Sequence, residues 1–335
     1  PGADGWSQTP VELPDNATIS IASASDKSDK AYLSVAGFLA PTTLWAMDAA
    51  NPAPTQVKAM PARFDADGLV VEQFEATSSD GTKIPYFIVH ARDMKKDGST
   101  PTIMTAYGGF EIPMTPSYAA ITGKLWLERG NSFVLANIRG GGEFGPAWHE
   151  AGLKTKRQII YDDFAAVAQD IFARKLSSPD KFGIYGGSNG GLLMGVEFNQ
   201  HPDLWNAVVI QVPLLDMIRY EQIAAGASWV DEYGSVSVPA EKAFLQTISP
   251  YANIRKGVDY PTPYIWTTTK DDRVGPQHAR KFAARLKEYG IPYHFYEDTA
   301  GGHSGDADIK QGARLQAMQM VYFSQQLEGK ASKQK

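Results

Sequence analysis

From about residue 80 onward, short apolar runs alternate with longer stretches in which apolar side chains recur every three to four positions. The short runs are rich in β-branched and aromatic residues and predict strands near 82–90, 102–106, 133–138, 182–185, 207–211, 264–269 and 293–296. The longer stretches predict helices near 117–129, 159–174, 189–200, 240–247, 276–289 and 307–327. The first strands of this series read as an antiparallel lead-in, and the later alternation implies a parallel sheet flanked by helices. Ligand chemistry in such a sheet belongs at the C-terminal ends of its strands. Residues 1–70 differ: short β-like runs at 17–22, 30–36, 43–48 and 56–60 are broken by Pro, Gly, Asn and Asp. The chain therefore divides into a β-rich segment, 1–70, and an α/β domain, 71–335, with 329–335 read as a polar, frayed tail.

The run Gly186-Gly187-Ser188-Asn189-Gly190-Gly191 fits the pattern G-x-S-x-G and lies between a predicted strand and a predicted helix. That is the strand–turn–helix context of the nucleophile elbow in α/β-hydrolases. A tight turn there requires glycine neighbours and presents the hydroxyl beside a helix N-terminus. A serine needs a base and a carboxylate that orients it, and in this fold the chain order is Ser, then Asp or Glu, then His.

His201, His278, His294 and His303 follow Ser188. His303 occupies a glycine-rich loop after a predicted strand, where a base belongs. His201 falls at a helix end, His278 reads as solvated helix surface, and His294 alternates with aromatic residues as a structural strand residue. The strand 264–269 is followed by Lys270-Asp271-Asp272-Arg273-Val274, and by spacing alone either aspartate can serve as the acid. Tyr107-Gly108-Gly109-Phe110 follows the strand 102–106, where this fold places an oxyanion-hole contributor; a tyrosine hydroxyl there can donate directly.

Together these segments resemble the prolyl oligopeptidase family of serine peptidases. The resemblance rests on Asp80-Gly81-Thr82-Lys83-Ile84-Pro85, Tyr107-Gly108-Gly109-Phe110, Asn137-Ile138-Arg139-Gly140-Gly141-Gly142-Glu143-Phe144-Gly145, the elbow, Asp271-Asp272-Arg273-Val274 and Gly302-His303. It covers roughly residues 69–326. It implies an α/β-hydrolase domain with Ser188, Asp271 and His303 as the triad. It further implies the Tyr107 hydroxyl and Asn189 N–H as oxyanion donors, and Arg273 as the cation on a substrate carbonyl. The stretch Ala227-Ser228-Trp229-Val230-Asp231-Glu232-Tyr233-Gly234 resembles the family's proline pocket, with Trp229 stacked on the ring and Tyr233, Phe110 and Val274 closing around it. A relative that cleaves after Arg or Lys needs a carboxylate in the pocket, and Asp231 and Glu232 leave that open. The family also carries a β-propeller. Residues 1–70 have room for about one blade, and a lone blade cannot bury its faces, so an absent N-terminal propeller fragment of the same protein is an expected partner.

The remaining motifs add little. Gly140-x-Gly142-x-x-Gly145 matches a dinucleotide fingerprint, but Pro146 to Gly152 carries no clear helical stripe to receive a pyrophosphate. His149-Glu150 opens a zinc-peptidase motif whose second histidine is replaced by Leu153. Asn16-Ala17-Thr18 is a glycosylation sequon of a kind common by chance. The 335 residues carry a net charge of −5 and no cysteine, which argues against phosphate-backbone binding and excludes disulfides. No apolar run is long enough to span a bilayer. No cofactor, metal, nucleic acid or membrane is expected, and the compartment, cytoplasm or periplasm, does not follow from the sequence. The expected function is a serine endopeptidase that cleaves short peptides after proline through an acyl-enzyme. The rivals are a same-fold peptidase with basic specificity, a carboxylesterase, and an inactive fragment or binding module.

Overall fold

The computed structural model describes residues 5, 8–305 and 307–329; apart from Gly329, the tail expected at 329–335 lies outside the described residues. Four strands, β1 (Ala17–Ser25), β2 (Ser28–Gly37), β3 (Thr43–Met47) and β4 (Thr55–Ala59), form an antiparallel meander. A second sheet holds β5 (Leu69–Thr77), β6 (Lys83–Ala91), β7 (Thr102–Thr105), β8 (Ser132–Ala136), β9 (Phe182–Gly187), β10 (Ala207–Gln211), β11 (Tyr264–Thr268) and β12 (His294–Asp298). Its order is β12-β11-β10-β9-β7-β8-β6-β5. The β5–β6 and β6–β8 pairings are antiparallel and all others parallel, the expected lead-in followed by a parallel sheet.

The helices are α1 (Ala120–Leu125), α2 (Pro146–Glu150), α3 (Gln158–Ala173), α4 (Asn189–Gln200), α5 (Val230–Tyr233), α6 (Pro239–Thr247), α7 (Pro250–Asn253), α8 (Gln277–Tyr289) and α9 (Ile309–Leu327). The parallel strands are buried on both faces, so alternate residues enter two cores. Met104, Val208 and Ile210 meet Phe164 of α3, Leu192 of α4 and Phe282 of α8. Ile103, Ala207 and Val209 meet Trp126, beside α1, and Leu315 and Phe323 of α9. This layering is the α/β-hydrolase fold, and it brings the loops after β7, β9, β11 and β12 to one edge.

The smaller sheet is anchored by Phe38, whose ring lies 5.5 Å from that of Phe87 and 6.0 Å from that of Phe133. Its β1 strand is largely exposed, with Ile21 at 73%. Buried Arg139 bonds Asp163 of α3 at 2.6 Å and Asp80 of the β5–β6 turn at 2.7 Å, which ties two of the motif segments together. The glycines 140–142 pack against the loop after β7: Glu111 N–H donates to the Gly140 carbonyl at 3.2 Å. The segment after them does form a helix, α2, but of five residues only.

His278 is not the solvated residue the sequence implied. It is fully buried on the apolar face of α8, with Phe282 and Leu286 above it. Its Nδ1 accepts the Leu215 and Asp216 N–H groups at 3.1 and 3.0 Å. Burial lowers its pKa to about 4, so the ring is held neutral. No described helix is long and apolar enough to cross a membrane.

Candidate active site

Ser188 caps α4 directly after β9, with φ of 58° and ψ of −118°. A non-glycine residue at positive φ is strained, and the flanking glycines make the turn possible. A Cβ on Gly186 would stand 2.5 Å from the Gly190 carbonyl oxygen, so no larger residue fits there. The turn aims the Ser188 side chain into a cavity of about 70 Å³, lined also by Tyr107, Phe110, Ile112, Leu214, Trp229, Tyr233 and Arg273. Segments that follow β7, β10 and β11, far apart in sequence, thus join the elbow.

The loops after β11 and β12 bring Asp271 and His303 together. His303 Nδ1 lies 2.9 Å from Asp271 Oδ2. Burial works to raise the Asp271 carboxyl, but the His303 hydrogen bond and the Val274 and Gly275 N–H groups outweigh it and hold it below its ordinary value. Asp272 is exposed. Among the described residues no hydrogen bond joins Ser188 Oγ to His303, a contact that in unliganded sites is commonly long and tightens with substrate.

Tyr107 lines the cavity beside Ser188. Burial raises its phenol above the ordinary value, opposed by the Ser188 hydroxyl beside it and by the charges of Arg273 and Arg157. Trp229 is half-buried, and Tyr233 is buried with its ring edge-on to Phe110 at 5.6 Å. Val274 is fully buried and is not among the lining residues; its backbone N–H donates to Asp271 Oδ1 at 2.9 Å. The sequence reading did not single out Ile112 and Leu214, which complete the apolar wall.

The two carboxylates next to the pocket residues are both engaged elsewhere. Asp231 is fully exposed, 3.8 Å from the Lys154 ammonium. Glu232 is buried and held by Arg157 at 2.8 Å, His149 at 2.7 Å and the Phe110 N–H at 3.1 Å. Burial works to raise its carboxyl, but the Arg157 charge together with the hydrogen bonds from His149, Arg157 and the Phe110 N–H outweighs it, so the group stays ionised and compensated. Arg157 itself escaped the sequence reading. It closes the run Lys154-Thr155-Lys156-Arg157, which looks like a solvated turn, and only the folded chain sets it against residues 108, 189 and 232.

Comparison with known proteins places the chain in a family and agrees with its fold. Residues 117–330 match the model of the prolyl oligopeptidase family. An uncharacterized peptidase of Sinorhizobium fredii is 57% identical over 97% of this chain and 45% of its own length. A prolyl endopeptidase of Elizabethkingia miricola is 34% identical over 90% of this chain and 43% of its own. The solved structure of a post-proline cleaving enzyme from Rickettsia typhi superposes with a TM-score of 0.90 at 36% identity, covering 98% of this chain and 48% of that one. The chain thus spans about half the length of the curated relatives it matches. With the family model matched over most of the α/β domain, and relatives aligned over nearly the whole chain, the chain belongs to the prolyl oligopeptidase family.

Proposed function

We propose that this chain is the catalytic part of a serine peptidase that hydrolyses short peptides on the carboxyl side of proline. Ser188 is the nucleophile, His303 the base, and Asp271 the acid that fixes the imidazole tautomer. His303 takes the Ser188 proton as the hydroxyl attacks the carbonyl carbon, and the Tyr107 hydroxyl and Asn189 N–H stabilise the resulting oxyanion. His303 then protonates the leaving amine, and water releases the acyl group from Ser188 by the reverse sequence. Arg273, at the rim, holds a substrate carbonyl.

The observation that carries the specificity is the cavity beside Ser188, walled by Trp229, Tyr233 and Phe110. A flat apolar ring such as proline matches aromatic faces and needs no charge. Cleavage after Arg or Lys requires a free carboxylate in that space, and Glu232 is already compensated by Arg157. The proposal extends to the small sheet, which we read as part of a β-propeller whose remaining strands pack on the face exposing Ile19, Ile21 and Val57. What supports this is that exposure and the greater length of the relatives. The propeller would limit access to short peptides.

The test is hydrolysis of a blocked Gly-Pro chromogenic amide by this chain and by Ser188→Ala, beside a blocked Arg amide and a short-chain aryl ester. Serine-dependent cleavage of the Gly-Pro amide is expected. Cleavage of only the Arg amide or only the ester would overturn the specificity and favour the corresponding rival.

A further inference from the structure

Arg157 is 1% exposed, yet it is a cation lying directly behind the elbow. Its Nη1 donates to Glu232 Oε1 at 2.8 Å. Its Nη2 donates to the Gly108 carbonyl at 3.1 Å and also to Asn189 Oδ1. The guanidinium lies over the Tyr233 ring, 4.6 Å from its centroid. Asn189 extends the network. Its Oδ1 accepts the Tyr233 hydroxyl at 2.9 Å, and its Nδ2 donates to the Tyr107 carbonyl at 2.6 Å. Glu232 continues it on the other side, accepting the Phe110 N–H at 3.1 Å and meeting His149 at 2.7 Å. Gly109 makes room for the cluster: a Cβ there would lie 2.6 Å from Asn189 Nδ2 and 3.0 Å from Arg157 Nη2.

One planar cation therefore bonds, within a single plane of donors, to three separate chain segments. These are the loop after β7 that carries Tyr107, the start of α4 that carries Asn189, and α5 that carries Glu232 and Tyr233. The two groups assigned above to the oxyanion, the Tyr107 hydroxyl and the Asn189 N–H, belong to the first two segments. Their mutual position depends on the tie between Asn189 and Tyr107, and Arg157 holds the oxygen end of that same amide.

We propose that Arg157 is the positioning residue of the oxyanion-stabilising side of the site, fixing the Asn189 amide and the Tyr107–Phe110 loop relative to Ser188. Arg157 touches no reacting atom and acts through Asn189 and Gly108. This rests on the function proposed above. A fixed fork is needed because a donor misplaced by about 1 Å can cost roughly 10²-fold in rate. Lysine keeps the charge opposite Glu232, but its ammonium lacks the fork geometry that serves Gly108 and Asn189 together.

The test compares Arg157→Lys and Arg157→Met with the wild-type chain on the Gly-Pro amide and the aryl ester, with rates normalised to Ser188 sites titrated by a fluorophosphonate. Arg157→Met is expected to lower kcat on both substrates by about 10²-fold, with KM changed less than about threefold. Arg157→Lys is expected to recover about tenfold of that loss, with a thermal midpoint close to wild type. A wild-type kcat per titrated site in Arg157→Met, or in Arg157→Lys should the methionine variant not fold, would overturn the proposal. If the wild-type chain itself shows no Ser188-dependent turnover, the proposed function has failed instead. Crystal structures of the wild type and Arg157→Lys then decide the positioning role, with a displaced Asn189 amide or Tyr107 loop supporting it and an unchanged pair overturning it.

Discussion

Asp271 is fully committed around His303: Oδ2 faces the imidazole Nδ1 at 2.9 Å, while Oδ1 takes the Arg273 and Val274 N–H groups at 3.1 and 2.9 Å. The carboxylate cannot swing away without losing two backbone hydrogen bonds, so the ring is held in one orientation. Asp272, its exposed neighbour, makes no comparable contact among the described residues.

Asp271→Asn is therefore expected to keep the fold but favour the wrong imidazole tautomer, lowering kcat by about 10⁴-fold, whereas Asp272→Asn should stay within about threefold of wild type. Steady-state kinetics of the two variants checks this. Equal losses would remove Asp271 from its assigned role.

Tyr107 offers a hydroxyl to the cavity, beside Ser188. Removing one oxyanion donor costs about 10²–10³ in turnover. Tyr107→Phe should show a loss of that size in kcat with a nearly unchanged KM and an unchanged melting temperature. A near-wild-type rate would mean that the oxyanion is held by other donors.

The positions of the parallel strands along the chain and the elbow were legible because both depend on local pattern. Apolar runs mark buried strands, and a serine between glycines at a strand–helix junction has few other uses. The strand β5 was missed: Leu69–Thr77 mixes Glu72, Gln73 and Glu75 among its apolar residues, since Gln73 and Glu75 share the outward side of this edge strand and Glu72, on the other side, pairs with His90 at 2.7 Å. The helices α2, α5 and α7 have five or four residues, too few to display a stripe. His278 was misread because its neighbours Arg280 and Lys281 are charged, although the spacing to Phe282 and Leu286 marked the buried face. The Arg157–Glu232 pair is separated by 75 residues, and no local pattern encodes such a contact.

Trp229 contributes a large half-buried aromatic face to the cavity. Its loss should weaken proline binding more than it harms the chemistry. Trp229→Ala is expected to raise KM for the Gly-Pro amide by about 10–100-fold, with kcat on the aryl ester within about threefold of wild type. An unchanged KM would place the proline ring elsewhere.

Glu197 carries the last prediction. It is fully buried on α4, and neither carboxylate oxygen has a hydrogen-bond partner among the described residues. Burial, and secondarily the charge of Asp162, raises its carboxyl well above the ordinary value of 4.5. The folded chain then binds a proton that the unfolded chain releases, so the stability contribution of this group is full below the ordinary glutamate pKa. It falls as pH rises from there toward the raised folded value. Glu197→Gln has nearly the same shape and no titrating proton, and it should abolish that slope. Melting curves are expected to give a higher midpoint than wild type at about pH 8 and a smaller difference at about pH 4. A difference that stays constant across this range would mean that Glu197 ionises in the fold as readily as in the unfolded chain, with a compensating group inside the α3–α4 interface.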